Sequence, residues 1–223
     1  MKKKLYCIAI VLVITVLATA NENQTVPIDE KDQPGNFFLE LGHLSIINTV
    51  KNSAPTPHLF SLGAGYEIPI NPWLSFSPQT SIYVATYLWN NELQTALPAE
   101  IEHRTTTVPS LIIQIPAKFV ISTEMFRIGI QPGLSFFLRY GIQSTKILEN
   151  EQADVSRINK WFYSKGRFFY PSLQINLDRF FTKKIRAGIA ATVYLPIGSI
   201  IEKTLPQDIS STLTCRIFFT NSK

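Results

Sequence analysis

His43-Leu44-Ser45 sets a base and a hydroxyl two residues apart, and in an extended segment that spacing puts both on one face. A base beside a hydroxyl is the start of a nucleophilic site, but the pattern offers no acidic partner, so it reads first as a polar pair. The other two histidines, His58 and His103, stand in no metal-ligand spacing with it. The chain has no glycine-rich phosphate loop, CxxC pair or serine elbow. No catalytic, metal or cofactor site is therefore expected. What remains is a set of charges and amides recurring at every second position: Glu40, Glu67, Gln114, Lys118, Arg127, Gln131, Arg139, Gln174, Asp178, Arg186 and Arg216. Charges of both signs on one shared face are tolerable only when paired or wet.

The elements that carry these residues are strands. From Phe126 the alternate residues Ile128, Ile130, Leu134, Phe136 and Leu138 are apolar, while Arg127, Gly129, Gln131, Ser135 and Arg139 interleave with them. Leu111 to Ile121 repeats the pattern, and the polar stretch Ser122 to Met125 joins the two as a hairpin. At about 11 to 14 residues these strands are roughly twice the soluble norm and match a tilted bilayer crossing.

Alternation also marks Phe37–Ser45, Leu59–Ile68, Trp73–Trp89, Phe168–Leu177, Ile185–Ile197 and Ile209–Thr220, which makes eight segments. Long loops follow the first, third, fifth and seventh, over Ile46–Pro57, Asn90–Arg104, Gly141–Lys165 and Gly198–Asp208, and the third of these has apolar residues spaced for a short helix. Short turns follow the second, fourth and sixth, the last spanning Asp178–Lys184. That asymmetry predicts an all-β fold, an eight-stranded antiparallel up-and-down transmembrane β-barrel. Trp73, Trp89 and Trp161 fall at segment ends, where membrane-interface aromatics belong. Pro78, Pro116 and Pro132 fall inside segments and predict bulges or local breaks.

Residues 1–20 read as a signal peptide: Lys2, Lys3 and Lys4, an apolar run, then Ala18-Thr19-Ala20, with cleavage near Ala20. Residues 21–36 read as a polar periplasmic leader and 37–223 as the barrel. Three of the 21 basic residues leave with the signal, so 18 face 16 acidic ones and the net charge drops from +5 to +2. A nucleic-acid partner is not expected. Only Cys215 remains of two cysteines, so an exported chain must hold together without an internal disulfide.

Signal, eight alternating segments, loop asymmetry and motifs such as Gly63-Ala64-Gly65-Tyr66 and Gln131-Pro132-Gly133-Leu134 together resemble the small eight-stranded bacterial outer-membrane barrels, the OmpW, OmpA-transmembrane and opacity-like group. The resemblance implies a monomer in outer-membrane lipid, with one of two roles. One is a narrow passage for small solutes, apolar ones included, favoured by small residues such as Gly42, Gly63, Gly65, Gly129, Gly133 and Gly188 on the polar face. The other is a closed barrel whose loops meet host surface molecules, as an adhesin or opacity-like protein, with Trp161, Phe162 and Tyr163 exposed. A soluble lipocalin-like carrier would show the same alternation with its greasy face inward. His43-Leu44-Ser45 is similar to the His-x-Ser motif of outer-membrane lipid A deacylases, which would make the chain a lipid A-modifying enzyme.

Overall fold

The computed structural model describes residues 35–47, 57–99, 105–123, 126–142, 149–182, 185–201 and 209–220. The expected signal peptide, its cleavage point and most of the leader lie outside them. The described elements are β1 (Asn36–Ile46), β2 (His58–Asn71), β3 (Leu74–Phe76), β4 (Gln79–Asn90), β5 (Thr95–Pro98), β6 (Thr106–Ser122) and β7 (Phe126–Arg139). They continue with helix α1 (Glu149–Tyr163), β8 (Phe169–Phe180), β9 (Ile185–Tyr194), the short helix α2 (Ile197–Ile201) and β10 (Ser210–Thr220). All pairings are antiparallel between neighbours, and β1 pairs with both β2 and β10, so the sheet closes on itself. Strands β3 and β4 both pair with β2 and β6 and act as one interrupted stave, while β5 folds back onto the end of β4. The ring therefore has eight staves.

Alternation sorts the side chains to the two sides of this wall. The outward residues Leu39, Leu62, Ile82, Ile115, Ile130, Ile175, Val193 and Ile217, one per stave, are 44–55% exposed. Arg127, Lys118 and Glu67 face the interior and are 6% exposed or less. A greasy wall outside and a polar filling inside is the reverse of a lipocalin, which corrects the soluble-carrier reading. Within hydrocarbon an open sheet edge would leave peptide groups without partners, and closure between β1 and β10 removes that edge.

One rim carries short turns. Trp73 N–H donates to Asn71 Oδ1 (3.0 Å), Thr123 N–H to Phe126 O (2.8 Å), and Ile185 N–H to Thr182 Oγ1 (3.0 Å). The opposite rim carries the long connections, with α1, α2 and the β4–β5 hairpin. Several boundaries move from their sequence positions. The leader gives way to β1 at Asn36, and β8 runs on to Phe180 because Asp178 stays in register with Arg127. The loop over Asn90–Arg104 contains β5.

The prolines are accommodated differently. Ser77-Pro78 is the break between β3 and β4, where Ser77 N–H donates to Pro116 O (3.2 Å) and Pro78 O accepts from Tyr66 N–H (2.9 Å). The β6–β7 ladder skips from Pro116↔Gly133 to Phe119↔Ile130 without a change of register, while Pro132 keeps its place opposite Leu173 of β8. No bulge forms there; the register shift in this part of the wall lies between Pro69 and Asn71 instead. Because Ile175 lies mid-strand on the outward face, Ile175→Arg is expected to lower the stability of the lipid-inserted barrel by about 2–4 kcal/mol, measured by urea titration in vesicles.

Candidate functional site: the barrel interior

Eight staves leave an interior that side chains just fill, and here three layers do so. Nearest the short turns, Glu67 of β2 is held by three cations. Its Oε2 accepts from Lys118 Nζ (2.7 Å) and from an Arg186 guanidinium nitrogen (3.0 Å), and its Oε1 accepts from Arg127 (2.6 Å). Asp178 Oδ2 takes Lys118 Nζ as well (3.2 Å), and also accepts from Asn176 Nδ2 (3.0 Å). The Arg186 guanidinium lies 3.9 Å from the centre of the Phe218 ring, so one of its faces is covered by an aromatic.

In the middle, Glu40 Oε2 accepts from Arg216 Nε (3.1 Å) and from a terminal nitrogen of the same fork (2.9 Å). These two residues are direct cross-strand partners. Arg216 also donates to Gln79 Oε1 (2.8 Å) and Gln174 Oε1 (2.9 Å), and Gln79 bonds to Gln114. Gln131 Nε2 donates to Asn176 Oδ1 (2.8 Å). Nearest the long loops the filling turns apolar: Leu44, Ile112, Tyr87, Phe137, Tyr170 and Tyr194 pack with Ile158, Trp161 and Phe162 of α1. Arg139 sits inside this layer, 1% exposed, donating to Tyr170 Oη and facing the rings of Phe137 (4.9 Å), Phe162 (5.1 Å) and Tyr170. Tyr163 Oη donates to Arg139 O (2.8 Å) and accepts its N–H (3.1 Å), which ties the end of α1 to the end of β7.

All eleven residues of the interleaved polar set are therefore buried inside the wall, although Arg139 belongs to the aromatic layer. The tryptophans part company. Trp73 is outward at the short-turn rim, 56% exposed and stacked on Phe119 at 6.2 Å. Trp89 and Trp161 are not interface aromatics: Trp89 packs against the aromatic layer, and Trp161 is buried within it under the Arg167 guanidinium (4.7 Å). Both point into the barrel mouth, which a position near a segment end cannot distinguish from pointing into lipid. Phe162 is likewise buried, leaving Tyr163 as the exposed member of that aromatic trio.

Larger neighbours occupy the space beside several of the small lumen residues. A Cβ on Gly63 would meet Glu40 Oε1, one on Gly65 the Phe38 ring, and one on Gly188 the Asp178 carboxylate. The aromatic layer went unrecognised in the sequence, although a signal for it exists. Toward the long-loop ends the inward positions change from polar to large, as in Tyr83, Tyr87, Phe137, Tyr170 and Tyr194.

On the outward face, His43 Nε2 lies 3.0 Å from His58 Nδ1, and Ser45 Oγ lies 3.4 Å from that same nitrogen. His43 and Ser45 therefore converge on one nitrogen of His58, a polar group at the long-loop end of the wall.

Removing the centre of the charged layer strands its partners. Glu67→Gln is expected to cost about 3–5 kcal/mol in urea unfolding of the lipid-folded protein, since three buried cations lose their shared carboxylate. Replacing both members of the middle pair, Glu40→Leu with Arg216→Leu, is expected to cost less than Glu40→Leu alone, because no uncompensated charge remains.

No family model matches the chain, and no curated protein matches it in sequence. Among solved structures it is similar to Neisserial surface protein A, with a TM-score of 0.53 at 9% identity, over 83% of this chain and 96% of that one. The outer-membrane protein OprG from Pseudomonas aeruginosa gives 0.47 at 8% identity over 84% and 94%, and Ail from Yersinia pestis 0.45 at 8% over 83% and 98%. At such identities the likeness is one of fold. The chain has the architecture of the small eight-stranded outer-membrane β-barrels, with an antiparallel wall that closes on itself.

Proposed function

We propose that the protein is a closed barrel of the bacterial outer membrane, monomeric and without catalytic activity, whose working surface is the rim of long loops. The observation that carries this reading is the continuity of the filling. A five-residue ion-pair cluster around Glu67 is followed by the Glu40–Arg216 amide layer and then by an aromatic plug completed from outside by α1. Solute passage would need a path past all three layers, and each buried pair that opened would leave charge stranded at low dielectric.

Helix α1 gives the outer rim a fixed surface. Its buried side enters the mouth, while Ser156, Arg157, Lys160 and Tyr163 face outward. Arg157 donates to Asn91 in the turn between β4 and β5 (3.2 Å) and pairs with Asp154 (3.1 Å), which joins helix and hairpin into one platform. A surface with that mixture of basic and aromatic groups suits contact with a host or environmental macromolecule better than with a small solute.

Two measurements test this reading. Protein refolded into planar bilayers is expected to give no conductance steps; regular steps would sink the closed-barrel assignment. Intact cells treated with a membrane-impermeant amine reagent are expected to yield label on Lys160 and Lys165, both exposed at the long-loop rim. Label on Lys183 or Lys184 instead would reverse the orientation.

A further inference from the structure

The outward face of the barrel is largely apolar, and the two described histidines stand together on it. His43 and Ser45 of β1 point outward beside His58, the first residue of β2. Ser211 of β10 is the cross-strand partner of Ser45 on the other side. One step toward the short turns, the same faces carry Leu41 (48% exposed) and Phe60 (65% exposed), so the polar group sits at the upper border of the greasy belt. The two imidazoles are 4.9 Å apart between ring centres and inclined by 31°, with the facing nitrogens 3.0 Å apart.

That nitrogen separation is close to what a metal ion demands. Two imidazole nitrogens bound tetrahedrally to zinc at about 2.0–2.1 Å stand about 3.3 Å from each other. A few tenths of an ångström, a turn of each ring that brings both lone pairs onto one point, and transfer through water of the shared proton to the far nitrogen of the donor ring convert the hydrogen bond into a chelate. Both histidines come from paired strands of a closed wall, so little order is lost on binding. The Ser45 hydroxyl lies beside the pair and water reaches the exposed His58, which leaves oxygen donors for the remaining positions.

We propose that His43 and His58 form a binding site for a borderline divalent transition cation of the zinc or copper type at the loop-side border of the membrane belt. Imidazole selects these ions over calcium or magnesium, which prefer oxygen ligands. No cluster of three or more His, Cys, Asp or Glu exists among the described residues, so these residues supply two nitrogens and leave positions for water or for an oxygen of a lipid headgroup. The site does not depend on whether the barrel interior is open or closed.

The test uses the full mature chain without a polyhistidine tag, folded into detergent micelles, with zinc titrated calorimetrically and copper followed by electron paramagnetic resonance. One ion per chain is expected, with hyperfine structure from two nitrogens. His43→Gln and His58→Gln are each expected to weaken binding at least about tenfold, while His103→Gln leaves it unchanged. Both substituted positions face outward from the wall, and the difference in gel mobility between boiled and unboiled samples verifies that each variant is folded. Binding that is absent in the parent chain, survives both substitutions, or falls equally with His103→Gln overturns the proposal.

Discussion

Every peptide group that faces hydrocarbon must find its partner within the protein, and this one requirement shapes the rest of the molecule. A sheet meets it only by closing. Strand β1 does the closing, with β10 along one edge from Asn36↔Thr220 to Ile46↔Ser210 and β2 along the other. Once the ring is shut at eight staves, its interior is just wide enough for side chains to fill it. The size of each inward residue is then set by its neighbours across the lumen. Glycine at position 63 is the space that Glu40 occupies, and glycine at position 65 is the space of the Phe38 ring.

The filling is graded from rim to rim. Ionised groups collect near the short turns and aromatic ones near the long loops, and the difference follows from what can close each end. At the short-turn rim the strands themselves supply both signs of charge, and two of the three cations are guanidinium groups. A planar fork can hold a carboxylate while its face rests on a ring, as Arg186 does with Glu67 and Phe218. At the other rim the long connections return over the mouth. A helix lying there must bury one side, and α1 does so by lowering Ile158, Trp161 and Phe162 onto Tyr87, Phe137 and Tyr170. Arg139 at the junction is held by rings and by the Tyr170 hydroxyl, which permits a cation in an otherwise apolar layer.

The wall was legible in the sequence because its signal is local. Alternation in one strand names the two faces without reference to any other strand, and the closed topology follows from loop lengths. The filling was legible only in kind. That Glu40, Glu67, Lys118 and Arg127 share an interior could be read from parity. That Glu40 pairs with Arg216, and Glu67 with Lys118, Arg127 and Arg186, depends on register across strands far apart in the chain. Trp161 was misread for the same reason. A position between strands says nothing about whether a side chain turns outward to lipid or back over the mouth, and only the packing of α1 decides. Asp178 looked like a turn residue until its place opposite Arg127 kept it in the strand.

The interior amounts to a second closure inside the first. Glu40, Glu67, Gln79, Lys118, Arg127, Asp178, Arg186 and Arg216 come from eight different staves, and each bonds to a residue on another. A change in diameter would pull on all of them at once, and breaking a single buried pair already costs several kcal/mol. Such a network opposes a change in the diameter of the barrel. A single substitution at the interior therefore strands its partners, whereas the loop-side rim lies beyond the reach of this network.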